Sequence, residues 1–143
     1  MAIVAGGIGI APMNYLIKQI KNCEIDLYAG FRDVNYSLDE LGKYVKSVYI
    51  ATESGNKGHK GYITEILQVE NYDLVLCCGP EIMMKKVVDM CSEKNINVYV
   101  SMEKRMACGI GACLVCTCKT KEGNKRSCKD GPVFNGRDLI FND

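Results

Sequence analysis

The chain has 143 residues, of which 48% are hydrophobic and 24% charged, and a formal net charge of +1. That profile describes one folded domain with a small appendage, and it excludes a disordered chain. No basic run interleaved with aromatics is present, so nucleic acid is not an expected partner, and no apolar stretch is long enough to span a membrane.

In chain order, "AIVA" at residues 2–5 reads as a strand stub. "PMNYLIKQI" follows as a helix, with Met13, Leu16, Ile17 and Ile20 at helical spacing and Pro12 in the first turn. The opening "MAIVAGGIGIAPMNYLI" has no basic leader and is interrupted by glycine and proline, so it reads as a poor signal peptide. "EIDLYAGF" is a second strand, "SVYIAT" a third beyond the stretch near "SLDELGKY", and "YDLVLCCG" a fourth. A helix, "PEIMMKKVVDMCSEK", carries Met83, Val87, Met90 and Cys91 as one stripe, and "INVYVSM" is the fifth strand. The alternation predicts an α/β fold, a five-stranded parallel doubly wound sheet over residues 1–101. Residues 102–143 change to a cysteine- and glycine-rich texture and form a small module. Its "CTCKTKEGNKRSC" predicts a β-hairpin turning at Glu122, Gly123 and Asn124. A first strand of about four residues is short for the centre of a parallel sheet, so this chain is expected to be the later part of a longer polypeptide.

Nine cysteines against one histidine is the unusual count. An odd number without an export signal argues against a disulfide framework and for a reducing compartment. Cys108, Cys113, Cys116, Cys118 and Cys128 fall within residues 108–128, a clustering that points to a metal or cofactor. Cys108-x4-Cys113-x2-Cys116 followed by a later cysteine is the plant-type spacing for a [2Fe–2S] cluster. Gly109 and Gly111 let backbone N–H groups approach the sulfurs. Cys128 is the better fourth ligand, because Cys118 follows Cys116 by only two residues whereas the hairpin returns Cys128 from a separate strand. The rival is a four-cysteine structural zinc site, against which stands the presence of a single C-x2-C pair. Cys23, Cys77 and Cys91 read as core or loop thiols.

Three segments point to a nucleotide. "AGGIGIAP" offers Gly7 and Gly9 after a strand and opens a helix through Ile10 and Pro12, as a pyrophosphate turn does, though Pro12 replaces the last glycine of the full motif. "TESG" puts Thr52 and Glu53 at the carboxyl end of the third strand; a carboxylate there accepts from ribose hydroxyls and repels a 2′-phosphate, favouring NADH over NADPH. "CCGPE" closes the fourth strand with Cys78, Gly79 and Pro80 and places the Cys78 thiol against a nicotinamide ring. His59 reads as a surface loop residue with no acidic neighbour at useful spacing. Asp39, Glu40, Glu65 and Glu70 read as solvated helix faces. No catalytic acid, base or nucleophile is evident.

The order "GGIGIAP", "TESG", "CGPEIMMKKV" resembles the NAD-binding half of the ferredoxin–NADP reductase superfamily. The tail "SMEKRMACGIGACLVCTCKTKEGNKRSCKDGPVF" resembles the electron-transfer subunits of the two-subunit, NAD-dependent class 1B dihydroorotate dehydrogenases of pyrimidine biosynthesis. "KDGPVF" after Cys128 matches the surroundings of that family's fourth ligand. The resemblance implies a path in which NADH, FAD, a [2Fe–2S] cluster and the FMN of a catalytic dihydroorotate dehydrogenase subunit exchange electrons within a cytoplasmic heterotetramer. The family carries FAD on an N-terminal barrel with an Arg-x-Tyr-Ser/Thr signature. "RDVNYS" at residues 32–37 has the wrong spacing and position for it, so the FAD site is expected to be incomplete in this chain, which should be inactive in isolation. Relatives serving ferredoxin reduction replace the first cluster cysteine by aspartate; Cys108 favours the dihydroorotate enzyme. The alternatives are a reductase of another NAD(P)H-dependent flavin and iron–sulfur system, such as an oxygenase reductase, and a non-catalytic zinc module.

Overall fold

The computed structural model describes residues 1–33, 38 and 40–141. Asp39 and most of the "RDVNYS" stretch, residues 34–37, lie outside them. In chain order the elements are β1 (Ala2–Gly6), α1 (Ile10–Gln19), β2 (Asp26–Phe31), β3 (Ser47–Thr52), β4 (His59–Lys60), β5 (Leu74–Cys78), α2 (Glu81–Glu93), β6 (Asn97–Ser101), β7 (Thr117–Thr120), β8 (Gly123–Arg126), α3 (Ser127–Asp130) and β9 (Val133–Asn135).

The main sheet runs β4-β3-β2-β1-β5-β6-β9. Its strands are parallel except β9, which pairs antiparallel to β6 through Tyr99–Asn135, Val100–Phe134 and Ser101–Val133. Every residue of β1 is buried, as a central strand covered on both faces must be. Alternation then divides its side chains: Ile3 and Ala5 join Ile10, Met13 and Ile17 of α1 on one face. Ala2 and Val4 join Met84, Val87, Val88 and Cys91 of α2 on the other. Each fully buried aliphatic side chain contributes about 1.5–3 kcal/mol relative to exposure. Helices on opposite faces make the sheet doubly wound, as expected from the sequence, but among the described residues it has seven strands in place of five, because β4 and the antiparallel β9 add to its edges.

Several details differ from expectation. The stripe of α2 is Met84, Val87, Val88 and Cys91, whereas Met83 and Met90 are half-buried. Met83 instead lies under the glycine turn, where a Cβ on Gly6 would meet its Sδ at 2.7 Å. Glu65 and Glu70 sit on short 3-10 turns, not α-helical faces. The β7–β8 hairpin pairs Thr120 with Gly123, so its turn is Lys121-Glu122 and both Gly123 and Asn124 belong to β8. The tail also does not stand apart from the sheet. Beyond β9, Ile140 N–H donates to the Lys119 carbonyl and Lys121 N–H to the Asp138 carbonyl, at 2.9 and 2.8 Å, so the same segment grips the hairpin.

At the opposite end from the strand C-termini, Tyr72 O–H donates to Asp26 Oδ2 at 2.9 Å and its oxygen lies 2.8 Å from Tyr28 Oη. Asp26 Oδ1 is buried without a partner. Tyr72→Phe would remove a bond to a charged group and strand the carboxylate further, at a cost of about 1–3 kcal/mol. A fall in the urea midpoint of that order is expected; an unchanged midpoint would show the network to be energetically idle.

Candidate functional site

The strand order reverses direction between β1 and β5, and open α/β sheets bind ligands at that switch point, beyond the carboxyl ends of the strands. There the turn after β1 meets the turn after β5. Gly7 adopts φ +52°, and Gly9 packs so closely on β5 that a Cβ would overlap the Cys78 carbonyl. No side chain caps α1 and no acid occupies its first turn, leaving its positive end open to an anion. Pro12 is exposed in that first turn, but Ile10 is core and can offer only backbone. Gly79 and Pro80 border the same crevice. Cys78 does not open into it. Its side chain is 0% exposed among the α1-side core residues, and burial pushes its thiol up to about 11.

Two strand positions away, β3 ends in Thr52, and Glu53 follows it. Glu53 is exposed, with its N–H donating to the Phe31 carbonyl. The buried Thr52 hydroxyl donates to the Lys57 carbonyl at 2.9 Å and accepts from the Lys57 N–H at 3.2 Å. It therefore staples the loop that presents Glu53 and has no face of its own toward a ligand. His59 is not the partnerless residue its sequence neighbours suggest. Its Nε2 stands 2.7 Å from Glu65 Oε2, and that bond holds the Glu65 carboxyl below the ordinary carboxylate range. The pair spans a turn at Gly61, which no fixed helical or strand spacing announces.

In the C-terminal part, the loop of residues 107–116 and the start of α3 bring sulfurs together. Cys113 N–H donates to Cys108 Sγ at 3.4 Å, and Cys128 N–H donates to Cys116 Sγ at 3.5 Å. Cys108 is drawn down to about 6 by N–H donors, first that of Cys113 and then that of Ile110, with the Cys113 thiol and Ala112 N–H adding to them. Cys116 is also lowered, chiefly by the Cys128 N–H and then its thiol. Cys128 is raised, chiefly because its thiol donates to Cys116. Cys128 lies on α3, just past the hairpin strand expected to carry it. Cys118 faces the α2-side core, where burial raises its thiol.

Among the described residues no three or more His, Cys, Asp or Glu side chains stand close enough to hold one metal ion. The sulfurs are drawn up two by two, Cys108 with Cys113 and Cys116 with Cys128. A tetrahedral zinc needs four donors around one point, whereas two bridged irons held by four cysteines take thiolates at two centres. The donor set, with a backbone N–H on one sulfur of each pair, fits the latter. Gly111 permits the wrap: its φ is +81°, and a Cβ there would stand 2.8 Å from Lys129 Cδ. Around the sulfurs, Met106, Ile110, Leu114 and Val115 are exposed, Ile110 by 73%, an apolar rim that a free surface does not favour.

With this geometry in hand, the likenesses are informative. Residues 103–140 match the iron–sulfur cluster binding domain of dihydroorotate dehydrogenase B, and residues 3–89 match the oxidoreductase NAD-binding domain. The chain is 64% identical over 143 residues to the electron transfer subunit of dihydroorotate dehydrogenase B (NAD(+)) of Clostridium acetobutylicum, covering 100% of this chain and 58% of that protein. It is 61% identical over 145 residues to the same subunit of Clostridium perfringens, covering 99% of this chain and 59% of that protein. Among solved structures, an NADH-dependent reduced ferredoxin–NADP oxidoreductase matches 99% of this chain and 54% of that chain, with a TM-score of 0.85 at 27% identity. The chain thus spans less than two thirds of the length of these relatives.

Two outcomes follow for the crevice and its neighbour. Gly9→Ala drives a methyl into the Cys78 carbonyl and should cost about 1–3 kcal/mol in urea unfolding, while Gly42→Ala, where a Cβ meets nothing within 4 Å, should not destabilise. The Glu65 carboxyl, lowered in the folded state, contributes stability at neutral pH that is lost as pH falls through its folded value. Wild type and Glu65→Gln should therefore differ in urea midpoint at pH 7 and converge in acid; a gap that widens in acid would refute the assignment.

Proposed function

The chain belongs to the oxidoreductase NAD-binding domain family and continues into the iron–sulfur cluster binding domain of dihydroorotate dehydrogenase B. From that premise we propose that it carries electrons between NAD and the FMN of a catalytic dihydroorotate dehydrogenase subunit, in pyrimidine biosynthesis. The observation that carries this reading is the pairing of four cysteine sulfurs, each pair receiving backbone N–H donors, beside a sheet whose switch point is lined with glycine.

Cys108, Cys113, Cys116 and Cys128 hold a [2Fe–2S] cluster. When bound, the cluster supplies one-electron transfer, which FAD links to the two-electron hydride chemistry of NADH. The chain's own residues bind and orient. Gly7, Gly9 and Pro12, at the open end of α1, receive the pyrophosphate, with Ile10 contributing backbone alone. Gly79 and Pro80, following the buried Cys78, shape the crevice for the nicotinamide. Glu53, presented by the Thr52 staple, accepts from ribose hydroxyls and repels a 2′-phosphate, which selects NADH. No side chain serves as acid, base or nucleophile, so the work of the protein is placement and adjustment of potential.

The exposed rim of Met106, Ile110, Leu114 and Val115 is the docking surface for the catalytic subunit, within a heterotetramer. Burying such side chains around the sulfurs would also dry the electron path. None of the nine cysteines is joined in a disulfide, which suits a reducing compartment, and the cytoplasm is the location this reading assigns. Among the described residues no helix is long and apolar enough to cross a membrane.

Anaerobic reconstitution with iron and sulfide tests the proposal directly. The expected product is red-brown, bleaches with dithionite and contains equal iron and sulfide. Cys128→Ser should fall to background iron, while Cys118→Ala should keep the colour. A colourless protein that retains zinc, or iron loss on removing Cys118 and not Cys128, would overturn it.

A further inference from the structure

Arg126, the last residue of β8, is held in an unusually defined position. Its Nε donates to Asp130 Oδ2 at 2.8 Å and its Nη2 to Asp130 Oδ1 at 3.0 Å, a two-pronged bond that fixes the plane of the guanidinium. Its backbone N–H donates to the same carboxylate at 2.7 Å. The remaining prong, Nη1, donates to the Gly111 carbonyl at 3.2 Å. Gly111 lies between Cys108 and Cys113, and the absence of a Cβ is what admits the guanidinium, since a Cβ there would stand 3.3 Å from Nη1.

The carbonyl of Gly111 and the N–H of Ala112 are two ends of one peptide unit. That N–H is one of the backbone donors that lower Cys108, beside the Cys113 N–H at 3.4 Å, and the N–H of Gly111 itself acts to lower Cys128. A cation pulling on the carbonyl polarises the peptide and strengthens the donor at its other end. The guanidinium also acts through space on Cys116 and Cys128. One side chain thus reaches both sulfur pairs.

We infer that Arg126 is a positioning residue that sets the potential of the cluster, stabilising negative charge on Cys108 through the Gly111–Ala112 peptide and on Cys116 and Cys128 through space. This rests on the iron–sulfur reading above. Uptake of one electron adds one negative charge without making or breaking a bond. A fixed cation beside the sulfurs, and stronger N–H donors to them, favour the reduced form and raise the potential. Asp130 holds the cation in place and offsets part of its charge.

The two halves of the ion pair allow a test by sign. The full chain, reconstituted anaerobically, is titrated with dithionite and mediators while the paramagnetic signal of the reduced centre is followed. Arg126→Gln should shift the midpoint to lower potential, and Asp130→Asn should shift it to higher potential. Both substitutions break the same clamp, so a purely structural role would move the two in the same direction. Unchanged midpoints or shifts of the same sign overturn the inference. If Arg126→Gln retains no cluster, the direction of the Asp130→Asn shift decides alone. Wild-type protein that acquires no cluster would sink the iron–sulfur reading itself, whereas an intact cluster indifferent to Arg126→Gln sinks only this step.

Discussion

Sulfur ligands that carry charge repel one another, and the C-terminal part of this chain is arranged to counter that repulsion before any cofactor arrives. Backbone N–H groups of Ile110, Ala112 and Cys113 converge on Cys108, and that of Cys128 on Cys116. Such a nest of donors requires a backbone that turns inward repeatedly, which is why Gly109 and Gly111, both at positive φ, stand on either side of Ile110 between Cys108 and Cys113. Side-chain cations alone could not do this, since they would arrive on flexible stems and lose the shape of the site. The backbone provides the geometry, and Arg126 adds a charge at one defined place.

The sulfur sites are also fastened to the nucleotide sheet by bonds between the two parts. The buried Ser127 hydroxyl donates to the Met102 carbonyl at 3.1 Å, just past β6, while its N–H donates to the Cys116 carbonyl. Lys104 pairs with Glu81 at 3.0 Å, joining the approach to the cysteine loop with the first turn of α2. That turn follows Gly79 and Pro80 at the rim of the crevice. These links fix the distance between the two parts, and their individual energies are modest.

Much of this was readable in the amino-acid order. The five core strands fell where β-branched runs stood between turn residues, and the cysteine spacing was legible because ligand geometry constrains it tightly. What escaped notice depended on three-dimensional return. His59 and Glu65 meet across a glycine turn with no regular period. Thr52 has the composition of a ligand-facing residue, yet its hydroxyl is consumed by Lys57. Cys78 sits at the expected strand end but faces the core, because the parity of β5 is set by packing. The Arg126–Asp130 pair was visible in principle as a four-residue spacing in "RSCKD", although its contact with Gly111 was not. A three-residue strand such as β9 carries too little pattern to be told from loop.

That last strand has a consequence for how the protein is made. β9 covers the flank of β6, and an uncovered sheet flank is a template for mispairing with other chains. The cover comes from sequence that lies beyond every cysteine, so during synthesis the ligand loop is complete before the nucleotide sheet is sealed. Until residues 133–135 are made, the flank of β6 stays open to mispairing, although the cysteines at 108–128 are already synthesised.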